Sequence, residues 1–119
     1  MQDLYAGFDF LGRLMDVSTL RARVTAHNVA NLNTPGYRRK EVLFEESLRR
    51  ALSQEEPGAT PVLPAQVVED RGGTIKPNGN NVVLEDELAF NAKNHLYFQV
   101  VSEVLRWRFG LYRDALQER

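Results

Sequence analysis

The sequence Asn28-Val-Ala-Asn-Leu-Asn-Thr-Pro-Gly-Tyr37 ends one long helical pattern and commits the residues after it to a turn. Asparagine tolerates left-handed backbone angles and hydrogen-bonds to its own backbone, proline fixes φ and lacks an N–H, and glycine adopts positive φ freely. The stretch therefore predicts a helix that stops near residue 31, followed by a reversal of the chain at Pro35-Gly36. It contains no obvious catalytic side chain, so its role is expected to be structural.

A long amphipathic helix is predicted before this turn, within an N-terminal segment 1–33. Residues 3–31 contain no proline, and Gly7 and Gly12 each cost about 1 kcal/mol relative to alanine, so the first turns are expected to order late. Apolar side chains recur three and four positions apart in two successive runs, as a helix stripe requires: Leu4, Phe8, Leu11 and Met15, and then Val17, Leu20 and Val24.

The middle of the chain, residues 34–82, has a different character. Its apolar spacing predicts an extended arm and then a short helix over 43–53. Four of the five prolines and four of the eight glycines lie between residues 54 and 80, which excludes a long helix there. The Gly72-Gly73 pair favours either a loop or a small β-hairpin that joins 66–70 to 74–76.

A second long helix is predicted over 83–119, with apolar residues on two faces. One face alternates steps of four and three, the repeat of a coiled-coil seam: Leu84, Leu88, Asn91, His95, Phe98, Ser102, Leu105, Phe109, Tyr112 and Leu116. The other face is here called the outer stripe, and consists of Ala89, Ala92, Leu96, Val100, Val104, Trp107 and Leu111. Since one partner cannot cover both faces, we expect other chains to cover the outer stripe.

These patterns predict one mainly α domain over residues 1–119. Its long N- and C-terminal helices pair as an α-helical coiled coil, and the short helix and the Pro/Gly-rich loop or hairpin form an insert between them. The pattern leaves open whether the helices pair within one chain or are exchanged between chains.

Composition excludes several classes of function. The net charge of −1 argues against nucleic acid as a partner, and the basic runs Arg38-Arg39-Lys40 and Arg49-Arg50 are expected on a solvated or inter-subunit face. No apolar run is long enough to span a membrane, and no secretory signal peptide is evident. The absence of cysteine excludes disulfides and thiolate metal sites.

Nothing in the sequence favours catalysis, a cofactor or a metal. The two histidines, His27 and His95, both lie on predicted helices, and a packed histidine is far commoner there than a ligand. No Glu-x-x-His pair, nucleophile elbow or phosphate loop accompanies them. We therefore expect a protein that is not an enzyme.

Two blocks of the sequence carry a family resemblance. The segment His27–Tyr37 resembles the asparagine-rich signature of bacterial flagellar rod and hook proteins, and Gly79–Glu85 with the helix through 109–112 resembles a short proximal rod component. Together the blocks cover most of the chain. Val83 departs from the family pattern, which tends to have a helix-capping aspartate there, so Asn80 or Asn81 is expected to cap instead.

The resemblance implies a structural subunit of the proximal rod in the flagellar basal body, which transmits torque across the periplasm. It also implies export through the flagellum's own type III apparatus without a cleavable signal peptide. The implied partners are other rod subunits, the adaptor that joins the rod to the membrane ring, and the ring or export gate. A helical adaptor or signalling module that binds one protein partner is the alternative.

The predicted assembly motif consists of Asn28, Asn31, Asn33, Thr34, Pro35, Gly36 and Tyr37. Asn28 and Asn31 lie one turn apart at the end of the first helix, so their amides can bond to orphan carbonyls or reach a neighbouring chain. Tyr37 offers an apolar ring with a polar tip. A purely intrachain role for the whole motif stays open.

Overall fold

The computed structural model describes residues 2–53 and 64–118, in five elements. They are, in chain order, helix α1 (Gln2–Ala30), strand β1 (Lys40–Leu43), helix α2 (Glu45–Ser53), strand β2 (Gln66–Glu69) and helix α3 (Leu84–Gln117). The molecule measures 67 × 29 × 15 Å, and its radius of gyration of 18.3 Å exceeds the roughly 14 Å of a compact domain of this length. The prediction of a mainly α fold with paired terminal helices is confirmed.

Helices α1 and α3 run antiparallel along each other within one chain. The ring of Phe8 stacks on Phe109 at 4.7 Å near one end of the pair. Further along, the hydroxyl of Ser18 donates to Oδ1 of Asn94 at 3.0 Å, and the Asn94 amide donates back to the Ser18 carbonyl at 2.8 Å. As the residue numbers of these contacts rise along α1, those of their partners fall along α3, which defines the antiparallel arrangement.

The hydrophobic core lies where the middle of this helix pair meets the insert. Its buried members come from α1, from β1 and the residue after it, and from α3: Leu11, Leu14, Val17, Val42, Phe44 and Val101. Leu48 of α2 packs against this cluster at its edge. The insert is thus held by Val42 and Phe44, which enter the same core as the helices.

The predicted hairpin around Gly72-Gly73 is wrong in its pairing. Strand β2 pairs antiparallel with β1, with Lys40 opposite Glu69 and Leu43 opposite Gln66. The amide of Asn81 donates to the carbonyls of Asp70 (2.6 Å) and Gly72 (3.4 Å), so residues 70–72 are bonded to the segment before α3. The partner of β2 lies 23–29 positions earlier in the chain, in β1, and no strand follows the Gly72-Gly73 pair in the described residues.

The start of α3 also differs from expectation. Val83 occupies the N-cap position without a side-chain hydrogen bond, so neither Asn80 nor Asn81 caps the helix. The acids Glu85 and Asp86 in the first turn complement the helix dipole instead. The two asparagine side chains are used elsewhere, at the candidate site below.

The face of α3 that contacts α1 is not the predicted seam throughout. Four seam residues are partly buried, namely Leu84, Phe98, Leu105 and Tyr112, whereas Leu88, His95, Phe109 and Leu116 are exposed. A strict 3.5-residue repeat drifts by about 20° per heptad on a straight helix, so it leaves the contact face unless the helices supercoil. As a contact between chains, the complete seam stays a prediction.

We predict that Leu14→Ala lowers the free energy of unfolding by about 2–5 kcal/mol, because it leaves a cavity in the core. The matched control is Leu116→Ala, at a position that is 75% exposed, where about 0.5 kcal/mol or less is expected. Urea denaturation followed by circular dichroism measures both. Equal losses at the two positions would contradict this location of the core.

Candidate functional site

The two asparagine-rich turns of the sequence meet at one end of the helix pair. There they enclose a cluster of polar side chains, which we call the polar joint. It consists of Asn28, Tyr37, Arg39, Asp70, Asn80, Asn81 and Glu87. Four of these are 0–3% exposed, namely Asn28, Asn80, Asn81 and Glu87, so each must find its hydrogen-bond partners inside the protein.

Asn28 has its full set of hydrogen bonds within the chain. Its Oδ1 accepts from the N–H of Lys40 (2.9 Å), and its Nδ2 donates to the Lys40 carbonyl (2.8 Å), so the amide pairs with β1 as a neighbouring strand would. The same oxygen accepts from the Tyr37 hydroxyl (3.0 Å), and the same nitrogen donates to Glu87 Oε2 (3.2 Å). Asn28 thereby joins the end of α1 to the arm, to β1 and to α3.

Arg39 is the cation at the centre of the joint. Its Nε donates to Glu87 Oε1 and its Nη1 to Asp70 Oδ2, both at 2.7 Å, while its guanidinium lies 5.1 Å from the centre of the Phe90 ring. Burial acts to lower the pKa of Arg39, but the hydrogen bonds and charges of Glu87 and Asp70 outweigh it and raise the pKa above its ordinary value. The guanidinium is therefore a permanent charge that balances the fully buried Glu87.

Asn80 and Asn81 connect the second turn to the first. The Asn80 amide donates to the carbonyls of Asn31 (2.9 Å) and Thr34 (2.8 Å), and its oxygen accepts from the N–H of Val82 (2.7 Å). Asn81 Oδ1 accepts from the N–H of Arg39 at 2.6 Å. The segment that enters α3 is thus bonded directly to the segment that leaves α1.

Two glycines allow the turns to touch. Gly36 and Gly79 have φ angles of 72° and 85°, in the left-handed region that glycine adopts without strain. The N–H of Gly36 donates to the Asn78 carbonyl at 2.9 Å, and a side chain at Gly79 would place its Cβ 3.3 Å from the Gly36 Cα. A side chain at Gly36 would strain the backbone because of its positive φ, and one at Gly79 would also press on Gly36.

The structure divides the predicted assembly motif into two parts. Asn28 and Tyr37 belong to the joint, and the Asn31 side chain donates to the His27 carbonyl (2.8 Å), which also accepts from the backbone N–H of Asn31 (3.2 Å). The remaining residues 33–36 are exposed and form what we call the tip. Within the motif, the tip is the part whose exposure leaves it accessible to another chain.

Tyr37 acts in the joint as a hydrogen-bond donor. Burial, followed by the nearby charge of Glu87, raises the pKa of Tyr37 above its ordinary value, and Arg39 only partly opposes the shift. The hydroxyl therefore keeps its proton at neutral pH, which its bond to Asn28 requires. Its ring also makes an edge contact with His27, with 5.9 Å between ring centres.

The most important joint residues that the sequence did not predict are Arg39 and Glu87. Arg39 was expected on a solvated or inter-subunit face, yet 13% of its side chain is exposed, because it bridges two carboxylates from separate parts of the chain. Glu87 looked like one of three acids in the first turn of a helix. The only signal was indirect: an asparagine-rich turn bounds each long helix, as expected if the turns meet.

The hydrogen bonds and ion pairs of the polar joint link segments of the chain to one another, as those of a structural element do. Within residues 2–53 and 64–118, no group of three or more histidine, aspartate or glutamate side chains is placed to hold a metal ion. No helix in the same ranges is both long and apolar enough to cross a membrane.

Comparison with known proteins gives three relatives of similar length. Flagellar basal body rod proteins FlgB from Borreliella burgdorferi and Borrelia hermsii are each 28% identical, over 87% and 85% of this chain and 90% and 88% of the relative. FlgB from Bacillus subtilis is 26% identical over 82% of both chains. No family model matches the sequence.

We predict that Asn28→Ala lowers the free energy of unfolding by at least about 3 kcal/mol. The change leaves several buried groups without partners, and each costs about 1–3 kcal/mol. The matched control is Asn33→Ala in the exposed tip, for which about 0.5 kcal/mol or less is expected. Urea titrations compare the two, and a small loss for Asn28→Ala would show that the joint is not a determinant of stability.

We predict that Asp70→Asn reduces stability at pH 7 and that its deficit shrinks in acid. The N–H of Gly72 and the guanidinium of Arg39 hold the pKa of Asp70 below its ordinary value. A carboxylate with a lowered folded pKa stabilises the protein above its unfolded pKa of about 3.9, and this contribution is lost as pH falls through the folded value. Denaturation at pH 7, 5, 4 and 3 tests the prediction, and a deficit independent of pH would contradict it.

Proposed function

Since these relatives support a flagellar basal body rod protein of the FlgB type, we propose that the chain is a subunit of the proximal rod, which self-assembles with other rod proteins through its terminal helices. In this proposal it occupies the periplasmic rod and transmits torque across the periplasm. It reaches the rod through the flagellar export apparatus. No step of this role requires a catalytic group.

The outer stripe of α3 is the observation that carries the proposal. Leu96, Val100 and Trp107 are each 63% exposed, and Leu111 is 50% exposed. The stripe lies on the side of α3 away from α1, so the fold of one chain leaves it uncovered. Fully burying one large apolar side chain is worth about 1.5–3 kcal/mol, so a helix packed along the stripe would stabilise an assembly by several kcal/mol.

The polar joint supports the mechanical part of the proposal. A shaft that transmits torque must resist changes in the angle between its elements, and Asn28, Arg39 and Asn81 each bond to at least two separate segments. Fully paired buried polar groups lose their bonds if the geometry shifts, so such a network favours one arrangement. The joint would fix the turns and the sheet relative to the helix pair.

The proposed partners would contact two separate surfaces, the outer stripe and the tip. Other rod subunits would cover the outer stripe. The tip, residues 33–36, is exposed, and its neighbours would be other rod subunits, the adaptor that joins the rod to the membrane ring, or the ring or export gate. Gly36 lets the tip backbone approach a neighbour closely because it has no side chain.

An adaptor or signalling module with one partner remains the alternative function. Such a module would explain an exposed apolar stripe. It gives no reason for a polar joint in which four buried polar side chains hold the segments in one arrangement. Light scattering with and without candidate rod proteins separates the two. A discrete dimer that ignores rod proteins would favour the adaptor, and a deletion strain that still builds a partial rod would exclude the proximal position.

We predict that Trp107→Ser weakens self-association of the purified chain at least about tenfold, which corresponds to 1.4 kcal/mol of lost apolar contact. The free energy of unfolding of the monomer should change by about 0.5 kcal/mol or less, since the side chain is already exposed. The control is Gln99→Ser, an exposed polar position on the same helix. Sedimentation velocity over a concentration series measures association, and an unchanged profile for Trp107→Ser would contradict a role for the stripe.

A further inference from the structure

A groove of about 490 Å³ opens beside the polar joint, between α1, β1 and α3. Val24 and Val42 contribute apolar surface to it, and Phe90 and Tyr97 of α3 line it with 48% and 36% of each residue exposed. The groove thus combines apolar and aromatic surface with a larger number of charged and polar residues, and the proposed function above does not use it.

The charges around the groove favour an acidic occupant. Its two lining acids already face cations, because Glu45 is held by Arg21 and Glu41 lies 3.7 Å from Arg39. Lys93 lines the same groove, is exposed, and forms no ion pair in the part of the chain that the structure describes. A carboxylate that entered here would meet an ammonium group with no competing partner.

The chain carries a matching surface at the far end of α3. Leu111 is 50% exposed, the side chain of Asp114 is 64% exposed, and Glu118 is exposed. Leu111 and Asp114 lie on α3, and Glu118 is its C-cap, whose N–H still bonds to the Asp114 carbonyl at 3.2 Å. The spacing i, i+3 and i+7 therefore places the three on one side of the helix end. The contact of Asp114 with the adjacent Arg113, at 3.2 Å on the surface, is weak and easily exchanged.

The groove residues of α3 have the same spacing. Phe90, Lys93 and Tyr97 also follow i, i+3 and i+7, and each precedes its counterpart by 21 positions. A second copy of α3 lying parallel, shifted by about 31 Å along the axis, would therefore place three pairs side by side at once. These pairs are Phe90 with Leu111, Lys93 with Asp114, and Tyr97 with Glu118.

Each of the three pairs is chemically complementary. Phe90 and Leu111 bury apolar surface together, and Lys93 and Asp114 have opposite charges. Burial raises the pKa of Tyr97, with Arg21 opposing and Glu45 adding to the shift, so the phenol is protonated at neutral pH and can donate to a carboxylate.

We propose that the groove between α1, β1 and α3 receives the C-terminal end of α3 from a second copy of this chain, in parallel register and displaced by about 31 Å. The inference rests on the proposed function, which it deepens by naming the surfaces. The two surfaces lie at different places on one molecule, so the contact is heterologous and repeats without closing. It builds a filament along the long axis.

Cysteine cross-linking tests the register directly, because the chain contains no cysteine of its own. The full chain with Lys93→Cys and Asp114→Cys is oxidised under assembly conditions and run on a non-reducing gel. The two positions lie about 31 Å apart on one helix, and a disulfide requires Cα atoms within about 7 Å, so any bond joins two copies. We expect a ladder that extends beyond dimers, and single-cysteine variants that stay largely monomeric.

The matched control pairs Lys93→Cys with Arg106→Cys, an exposed position on another flank of the same helix. A double variant that gives no product or only dimers, or a control that gives the same ladder, overturns the proposed register. If Trp107→Ser still weakens association in that case, the proposed function stands without this contact. If the unmodified chain never associates, self-assembly itself fails.

A charge exchange tests the same contact without a covalent bond. Lys93→Glu and Asp114→Lys should each weaken association several-fold, and the variant with both changes should recover most of the loss. Circular dichroism should be unchanged, since both side chains are at the surface. Losses that simply add in the double variant would overturn the pairing of Lys93 with Asp114.

Discussion

The carboxylate of Glu87 is fully buried, and most of the joint is arranged around it. An isolated charge in a protein interior is too costly to keep, so the fold must bring a cation and hydrogen-bond donors to it. Arg39 supplies the cation and Asn28 a donor, and these come from the arm and from the end of α1. Three distant parts of the sequence must therefore meet at one point.

This requirement explains why the turns have their composition. Asparagine offers two donors and two acceptors on a short side chain, so it can replace a neighbouring strand, as Asn28 does for Lys40, or bind two carbonyls at once, as Asn80 does. Glycines at positions 36 and 79 let the two backbones approach. The polar joint fixes one end of the molecule. The rest is a pair of helices, and one side of α3 is uncovered. The same chain thus combines a fixed geometry with an open surface for assembly.

Much of the architecture could be predicted from local patterns. The two long helices, the short helix between them and the abrupt stop near residue 31 all follow from periodicity and from Asn, Pro and Gly, which act through neighbouring residues. The exposure of the outer stripe could also be predicted, since apolar residues on two faces exceed what one partner helix covers. The pairing of β2 could not, because its partner β1 lies 23–29 positions earlier in the chain, whereas the turn signal at Gly72-Gly73 is local.

The polar joint likewise has features that could be predicted from the sequence and features that could not. Sequence by itself determined the elements, their order, the asparagine-rich boundaries and the surplus of apolar surface on α3, since these depend on residue type and spacing. Only the tertiary structure decided that Asn28 and Tyr37 face inward while residues 33–36 face solvent, and that Arg39 and Glu87 form the charged centre of the joint. The reason is physical: whether a polar side chain is buried depends on the partners that folding brings to it, and here those partners lie 9–59 positions away along the chain.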